Sequence, residues 1–150
     1  MDYRRFSSAR EAQTLSDDRM LVRLRTGEEI VESLKKLARD QKLPCAAVTG
    51  IGAVSDITLA IYSIESRRYL EARLTGELEL VSLTGNVSWL GEEPVIHIHG
   101  VVSRADMTTS GGHIMRGVVS ATVELMVQVY PDKVTRAMDQ SVGLNLLDLA

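Results

Sequence analysis

The sequence has little of several residue types, and each shortage narrows the choice of function. A single cysteine among 150 residues, Cys45, excludes an internal disulfide and favours a reducing compartment. Aromatic side chains make up only 4% of the chain, so aliphatic residues and methionine must build the core. Basic residues do not outnumber acidic ones, and the net charge of -3 is the wrong sign for binding nucleic acid through the whole surface.

Long apolar runs are also missing. No stretch approaches the roughly 18–20 consecutive apolar residues that span a bilayer, and the polar N-terminus lacks the apolar segment of a signal peptide. We therefore expect a cytoplasmic protein that makes no membrane contact. No repeat, low-complexity tract or linker interrupts the sequence, so we expect residues 1–150 to form a single domain, with residues 1–18 as an N-terminal extension.

The predicted elements follow one another as a strand, a helix and then many strands at hairpin spacing. Residues 28–40 carry the helical pattern, with Ile30, Leu34 and Leu37 on one apolar face. The later segments favour a mostly antiparallel sheet, which together with the helix indicates the α+β class. One helix of about 12 residues cannot cover so much sheet. A second layer or another subunit must do so, and we expect a homo-oligomer.

Glycines mark the expected interruptions of the sheet. Residues 46–63 are predicted to form two strand pieces with a bend at their glycines. Residues 68–74 and 78–90 are predicted to be separate strands joined by a turn at Thr75-Gly76. Residues 132–150 have mixed character and are expected to form a tail.

All three histidines of the chain lie in one short segment, VIHIHGVVSRADMTTSGGH, from residue 95 to residue 113. His97 and His99 are two apart in a predicted strand, so their side chains share a face with Cα atoms roughly 6.5–7 Å apart. A hairpin at the following turn-prone segment would return His113 towards them. This spacing predicts a three-histidine metal site, most simply for zinc, with a fourth position open to water or ligand. Nickel, copper and iron also accept imidazole, and the alternative is three ordinary strand and turn histidines.

A catalytic metal would need a further polar partner beside these histidines. Glu79, Asp106 and Glu124 are the candidate carboxylates. Glu79 stands out because it lies within an otherwise apolar strand. The alternative is that Glu79 faces solvent or forms a structural ion pair. Gly85-Asn86 within the same strand indicates a bulge or a close backbone approach, and Asn86 would hold a neighbouring loop or contact a ligand.

Four stretches together resemble a known family. They are TGEEIVESLKKLA, VTGIGAVSDITLAIY, GELELVSLTGNVS and the histidine strand with SGGHIMRGVVSATVELMV. The chain is similar to the plants-and-prokaryotes-conserved (PPC) domain, a domain of unknown function whose members often carry a DNA-binding label. The resemblance covers the chain from about Met20 onward. It implies an α+β fold that assembles as a trimer, with metal ligands at His97, His99 and His113.

Three functions follow from these observations. The first is a metal-binding homotrimer that serves as a regulatory or interaction module. The second is a zinc-dependent enzyme that acts on a small molecule at the open position. The third is a DNA-binding protein. The resemblance implies, however, that plant members of the family contact DNA through a separate AT-hook, and this sequence has no AT-hook. We therefore expect no DNA binding.

Overall fold

The structure, a computed structural model, describes residues 11–16 and 18–149. This part of the chain holds one helix, α1 (Ile30–Asp40), and eight strands. The strands are β1 (Glu11–Ser16), β2 (Arg19–Arg25), β3 (Cys45–Ser63), β4 (Arg68–Leu90), β5 (Glu93–Ser103), β6 (Thr109–Tyr130), β7 (Thr135–Asp139) and β8 (Leu144–Asp148). The predicted combination of one helix with a mostly antiparallel sheet is confirmed. Among the described residues, no helix has the length and apolar character needed to cross a bilayer.

The four long strands close a ring of pairings. Strand β3 pairs with β4 and β6, and β5 pairs with β4 on one side and with the start of β6 on the other. All these pairs are antiparallel. Strands β2 and then β1 extend the sheet beyond β6, while β7 meets β4 through one parallel pair, Trp89 with Thr135. The ring brings the β5–β6 hairpin against β3 and β4.

The helix covers one side of this sheet. Its apolar residues Ile30, Leu34 and Leu37 are buried in the same core as the inward-facing residues of the strands, as their helical spacing predicts. The helix begins two residues later than predicted because the Glu29 carboxylate caps it and accepts hydrogen bonds from the backbone N–H groups of Val31 and Glu32 at 3.1 and 2.7 Å.

Four details differ from the expectation. The two strand pieces expected within residues 46–63 form the single strand β3, whose pairing with β4 shifts at Gly50 and Gly52 without breaking. The predicted turn at Thr75-Gly76 is wrong: β4 runs unbroken from Arg68 to Leu90, and Gly76, at φ +112°, accommodates an irregularity in the pairing with β3. Residues 11–16, within the expected N-terminal extension, form the edge strand β1. Residues 1–10 lie outside the described residues. The expected tail contains a hairpin of β7 and β8.

The other side of the sheet exposes a group of apolar side chains. Leu21, Ile51 and Met126 are exposed by 40, 59 and 42%, and Leu21 pairs directly with Met126 across β2 and β6. We call these three residues with their neighbours Thr49 and Thr84 the outer face. They line one open depression of the sheet, and no element among the described residues covers them.

Candidate metal site

The β5–β6 hairpin brings the three histidines together. His97 and His99 alternate with buried residues along β5, and His99 pairs directly with His113 of β6. The turn between the strands is held by Asp106, whose carboxylate accepts hydrogen bonds from the backbone N–H and the hydroxyl of Thr108 at 3.0 and 2.7 Å. The predicted hairpin, and with it the return of His113 to the first two histidines, is confirmed.

The three imidazoles face one point. Their ring centroids form a nearly equilateral triangle with sides of 5.2, 5.3 and 5.3 Å. The Nε2 atoms of His97 and His99 are 3.3 Å apart, and one ring nitrogen from each residue lies within 4.8 Å of the others. Two nitrogens bonded to one tetrahedral zinc ion at about 2.0–2.1 Å would be about 3.3–3.4 Å apart. His97 and His99 already have that separation, and a ring nitrogen of His113 lies within 4.8 Å of both.

The surroundings of His97 and His113 keep these two rings uncharged. His97 and His113 are half-buried, whereas His99 is exposed. Burial lowers the pKa of His97, and the neighbouring charges of Arg136 and His99 lower it further. Burial also lowers the pKa of His113 to about 4, with His97, His99 and Arg136 contributing in that order. Both rings are therefore neutral at pH 7, as a metal ligand must be.

Arg136 of β7 is a neighbour that the sequence did not reveal. Its guanidinium donates to the hydroxyl of Ser88 at 2.7 Å, to the backbone carbonyl of Asn145 at 2.9 Å and to the side-chain carbonyl of Asn86 at 3.1 Å. The Nη2 atom, which donates to Asn86, also lies 3.4 Å from Nδ1 of His97. Asn86 itself pairs with His97 across β4 and β5. The structure thus brings Asn86 to the site, as a residue that orients Arg136.

Two tyrosines lie beside His113. The ring of Tyr69 lies 5.1 Å from that of His113, and Tyr62 lies 5.2 Å from Tyr69 in an edge-on arrangement. The Tyr62 hydroxyl donates to the backbone carbonyl of Val142 at 2.9 Å. The hydrogen bonds of Tyr62 and Arg136 hold the β7–β8 hairpin against β3 and β4, beside the histidines.

The carboxylates proposed from the sequence lie elsewhere. Glu79 is exposed and pairs with Ser103, whereas it is Thr84 that pairs with His99. At roughly 3.3 Å per residue, Glu79 is about 16 Å along β4 from the level of the histidines. Glu124 lies on the far part of β6, exposed beside the outer face. The third candidate carboxylate is engaged in the β5–β6 turn, as described above.

This arrangement fits a metal ion with one free position. Three imidazole nitrogens are a donor set that zinc takes, and a three-ligand zinc site keeps its fourth position for water or another ligand. His99 is exposed, so solvent reaches this side of the cluster. A zinc ion held here would lower the pKa of a bound water to about 7.

Known proteins share this fold and sequence pattern. The family model of the Plants and Prokaryotes Conserved (PCC) domain matches residues 12–131. Among solved structures, a Ralstonia eutropha protein named "Putative DNA-binding protein" is 30% identical with a TM-score of 0.82, over 87% of this chain and 91% of that chain. No functionally curated protein matches the chain.

Two archaeal structures are similar over nearly their whole length. A protein from Archaeoglobus fulgidus, named as metal-containing, is 27% identical with a TM-score of 0.81, over 95% of this chain and 100% of that chain. A plant- and prokaryote-conserved (PPC) protein from Pyrococcus horikoshii is 25% identical with a TM-score of 0.81, over 97% and 99% of the two chains.

Proposed function

This chain belongs to the Plants and Prokaryotes Conserved domain family, which its motifs resemble, and we propose that it is a metal-binding protein with one zinc ion at His97, His99 and His113. The observation that carries this proposal is the 3.3 Å separation of two Nε2 atoms, the spacing of ligands on one tetrahedral ion. The similarity to an archaeal protein named as metal-containing supports it.

The role we propose for the metal protein is that of a homotrimeric regulatory or interaction module. The apolar outer face supports self-association, because burying residues such as Ile51 and Met126 against another copy removes them from water. Light scattering coupled to size-exclusion chromatography measures the molar mass directly. A trimer has three times the 16.5 kDa of the chain, and a monomer at all concentrations would contradict this part of the proposal.

We do not extend the DNA-binding name of the Ralstonia relative to this chain. The net charge is -3, and no AT-hook is present in the sequence. Binding through phosphates weakens steeply as salt rises. A gel-shift experiment over a series of salt concentrations is therefore expected to show no salt-sensitive complex, and a complex that weakens steeply with salt would overturn this expectation.

The alternative function is a zinc-dependent enzyme that acts on a small molecule. The observation that favours it is the exposure of His99, which leaves the fourth metal position accessible. In such an enzyme the substrate would bind at the metal, close to the positive charge of Arg136 and to the ring of Tyr69 beside His113. Substrate turnover that disappears with the metal would favour the enzyme, whereas metal-dependent assembly without turnover would favour the module.

Elemental analysis of untagged protein tests the metal proposal. The protein as purified and dialysed is expected to hold about one zinc ion per chain. His99→Ala is the sharpest variant because the side chain is exposed and its removal leaves the core intact. It should lose the zinc while circular dichroism stays unchanged. Glu79→Gln is the matched control, since this exposed residue lies far along β4. Equal zinc content in H99A and E79Q would refute the site.

A further inference from the structure

We propose that the ligand taken at the open metal position is a small oxyanion, such as a carboxylate or a phosphate, and that Arg136 supplies part of the charge that selects it. This inference rests on the metal site proposed above. It assigns a chemical class to the ligand and a positioning role to a residue on the C-terminal hairpin, far in sequence from the histidines.

The first support is the set of partners that Arg136 has. The hydroxyl of Ser88, the carbonyls of Asn86 and Asn145 and the ring nitrogen of His97 are all uncharged acceptors. They fix the guanidinium in place without neutralising it. Arginine keeps its charge even where burial lowers its pKa, as it does here against an opposing contribution from Tyr69. A fixed positive charge therefore stands directly behind a metal ligand.

The second support is the sign of the charges around the histidines. Arg136 is the charged side chain beside His97, with its Nη2 atom 3.4 Å from Nδ1 of that ring. Within the described residues, no ion pair joins Arg136 to a carboxylate. A divalent ion bound here would add two positive charges to that of the guanidinium. An anion at the fourth position would offset this charge, and a neutral ligand would not.

The third support is that Arg136 acts on a partly buried site. Ser88, which holds its Nε, is fully buried, and His97 is half-buried. Charges in such surroundings are screened less than charges on an open surface. The guanidinium thus influences an anion at the metal without touching it directly.

Arg136 has the opposite influence on the bare metal ion. A guanidinium that donates to Nδ1 of His97 favours the tautomer with its proton on Nε2, the atom that faces His99. Metal binding at that Nε2 must displace this proton, and the like charge adds repulsion. Removing Arg136 is therefore expected to strengthen binding of the ion and weaken binding of the anion. A merely structural role would weaken both.

Cobalt(II) gives a visible spectrum that reports ligands entering its coordination shell, so the test uses cobalt-loaded protein. Acetate, acetamide and phosphate are titrated separately, because acetate and acetamide match in size and differ in charge. We expect acetate to bind at least about tenfold more tightly than acetamide, a difference equal to about 1.4 kcal/mol. Binding of phosphate as well would identify oxyanions in general, and binding of acetate alone would identify carboxylates.

Arg136→Gln is the test variant. It should bind cobalt at least as tightly as the wild type and lose roughly tenfold in acetate affinity. Arg67→Gln is the control, because Arg67 also donates to the C-terminal segment, at the carbonyl of Ser141, and does not act on the histidines. If R136Q does not fold, Arg136→Lys decides: it keeps the charge, so its preference for acetate should stay within about twofold of wild type.

The outcomes separate the two proposals. Wild-type protein that binds cobalt but treats acetate and acetamide alike would overturn the oxyanion proposal and leave the metal site standing. The same conclusion would follow if R136Q kept the full acetate preference, or if R136K lost it. Protein that binds no cobalt would refute the metal site, and the oxyanion proposal with it.

Discussion

Gly85 of β4 provides the strongest steric test of the histidine strand. A Cβ atom at this position would lie 1.9 Å from the backbone carbonyl oxygen of His97 and 2.7 Å from Cα of Ile98. Ordinary contact begins near 3.4 Å, so Gly85→Ala must push β5 away from β4 by about 1.5 Å. That displacement breaks the local ladder hydrogen bonds and moves the backbone of His97.

The cost follows from these distances. Loss of about two hydrogen bonds at roughly 0.5–1.5 kcal/mol each, added to about 1–3 kcal/mol of overpacking, lowers the free energy of unfolding by about 2–6 kcal/mol. For a chain of this length that corresponds to a fall in Tm of roughly 4–24 °C. A binding constellation must be held within about 0.5 Å of its productive geometry, so zinc affinity should fall by more than tenfold.

The assay is thermal unfolding of metal-free protein by circular dichroism, together with zinc titration of the folded variant. Gly111→Ala is the matched control, because Gly111 lies in β6 near His113 and its added Cβ would meet its nearest neighbours at 3.3 Å. A shift of a few tenths of an ångström relieves that contact. Wild-type stability and zinc affinity in G85A would refute the close packing of β4 against β5.

Three further predictions concern other contacts. Zinc at 100 times its Kd should stabilise the wild type by about 2.7 kcal/mol, or roughly 5–11 °C in Tm, and should leave His113→Ala unchanged. Hydrogen bonds from Arg73, and then from Arg116, hold the pKa of Asp56 at about 2, below its usual 3.8. The contribution of ionised Asp56 to the stability of the fold is therefore present above about pH 4 and is lost as the pH falls towards 2. Urea unfolding should therefore show wild type more stable than Asp56→Asn at pH 6, with the difference vanishing near pH 2. Trp89→Phe removes the 2.9 Å hydrogen bond to the Leu43 carbonyl and should cost about 1–3 kcal/mol in the same assay.

The histidine cluster could be predicted because local rules determine it. Side chains two apart on a strand share a face, which places His97 and His99 together, and a hairpin returns the chain over a short distance to His113. The helix was predictable for the same reason, since its apolar residues are three or four positions apart and so lie on one face of a helix. In each case the decisive contacts lie between residues close in sequence.

Arg136 could not be predicted because no local pattern connects it to the histidines. Its strand, TRAMD, has no alternation of buried and exposed residues. It meets the sheet through one parallel pair, Trp89 with Thr135, and through the side chain of Arg136 itself. The paired residues are far apart in sequence, and neither strand alone has a pattern that indicates the pairing. The only weak signal in the sequence is a basic residue, Arg136, within the short segment that forms β7.

The unbroken β4 illustrates a different limit. Thr75-Gly76 is typical of a turn, and Gly76 does adopt a positive φ. Yet the pairing with β3 continues on both sides, from Asp56 opposite Thr75 to Val54 opposite Leu78. Thr75-Gly76 alone would favour a turn, but pairing with β3 on both sides keeps the chain extended there. Contacts with a partner strand thus override the local preference.

Anomalous X-ray diffraction from zinc-loaded crystals, recorded on both sides of the zinc absorption edge, tests the central claim most directly. A single anomalous peak should lie about 2 Å from Nε2 of His97, from Nε2 of His99 and from a ring nitrogen of His113. The same measurement on crystals of the triple variant with alanine at these positions should show no peak there. A wild-type peak bound by other residues, or an equal peak in the triple variant, would contradict the account.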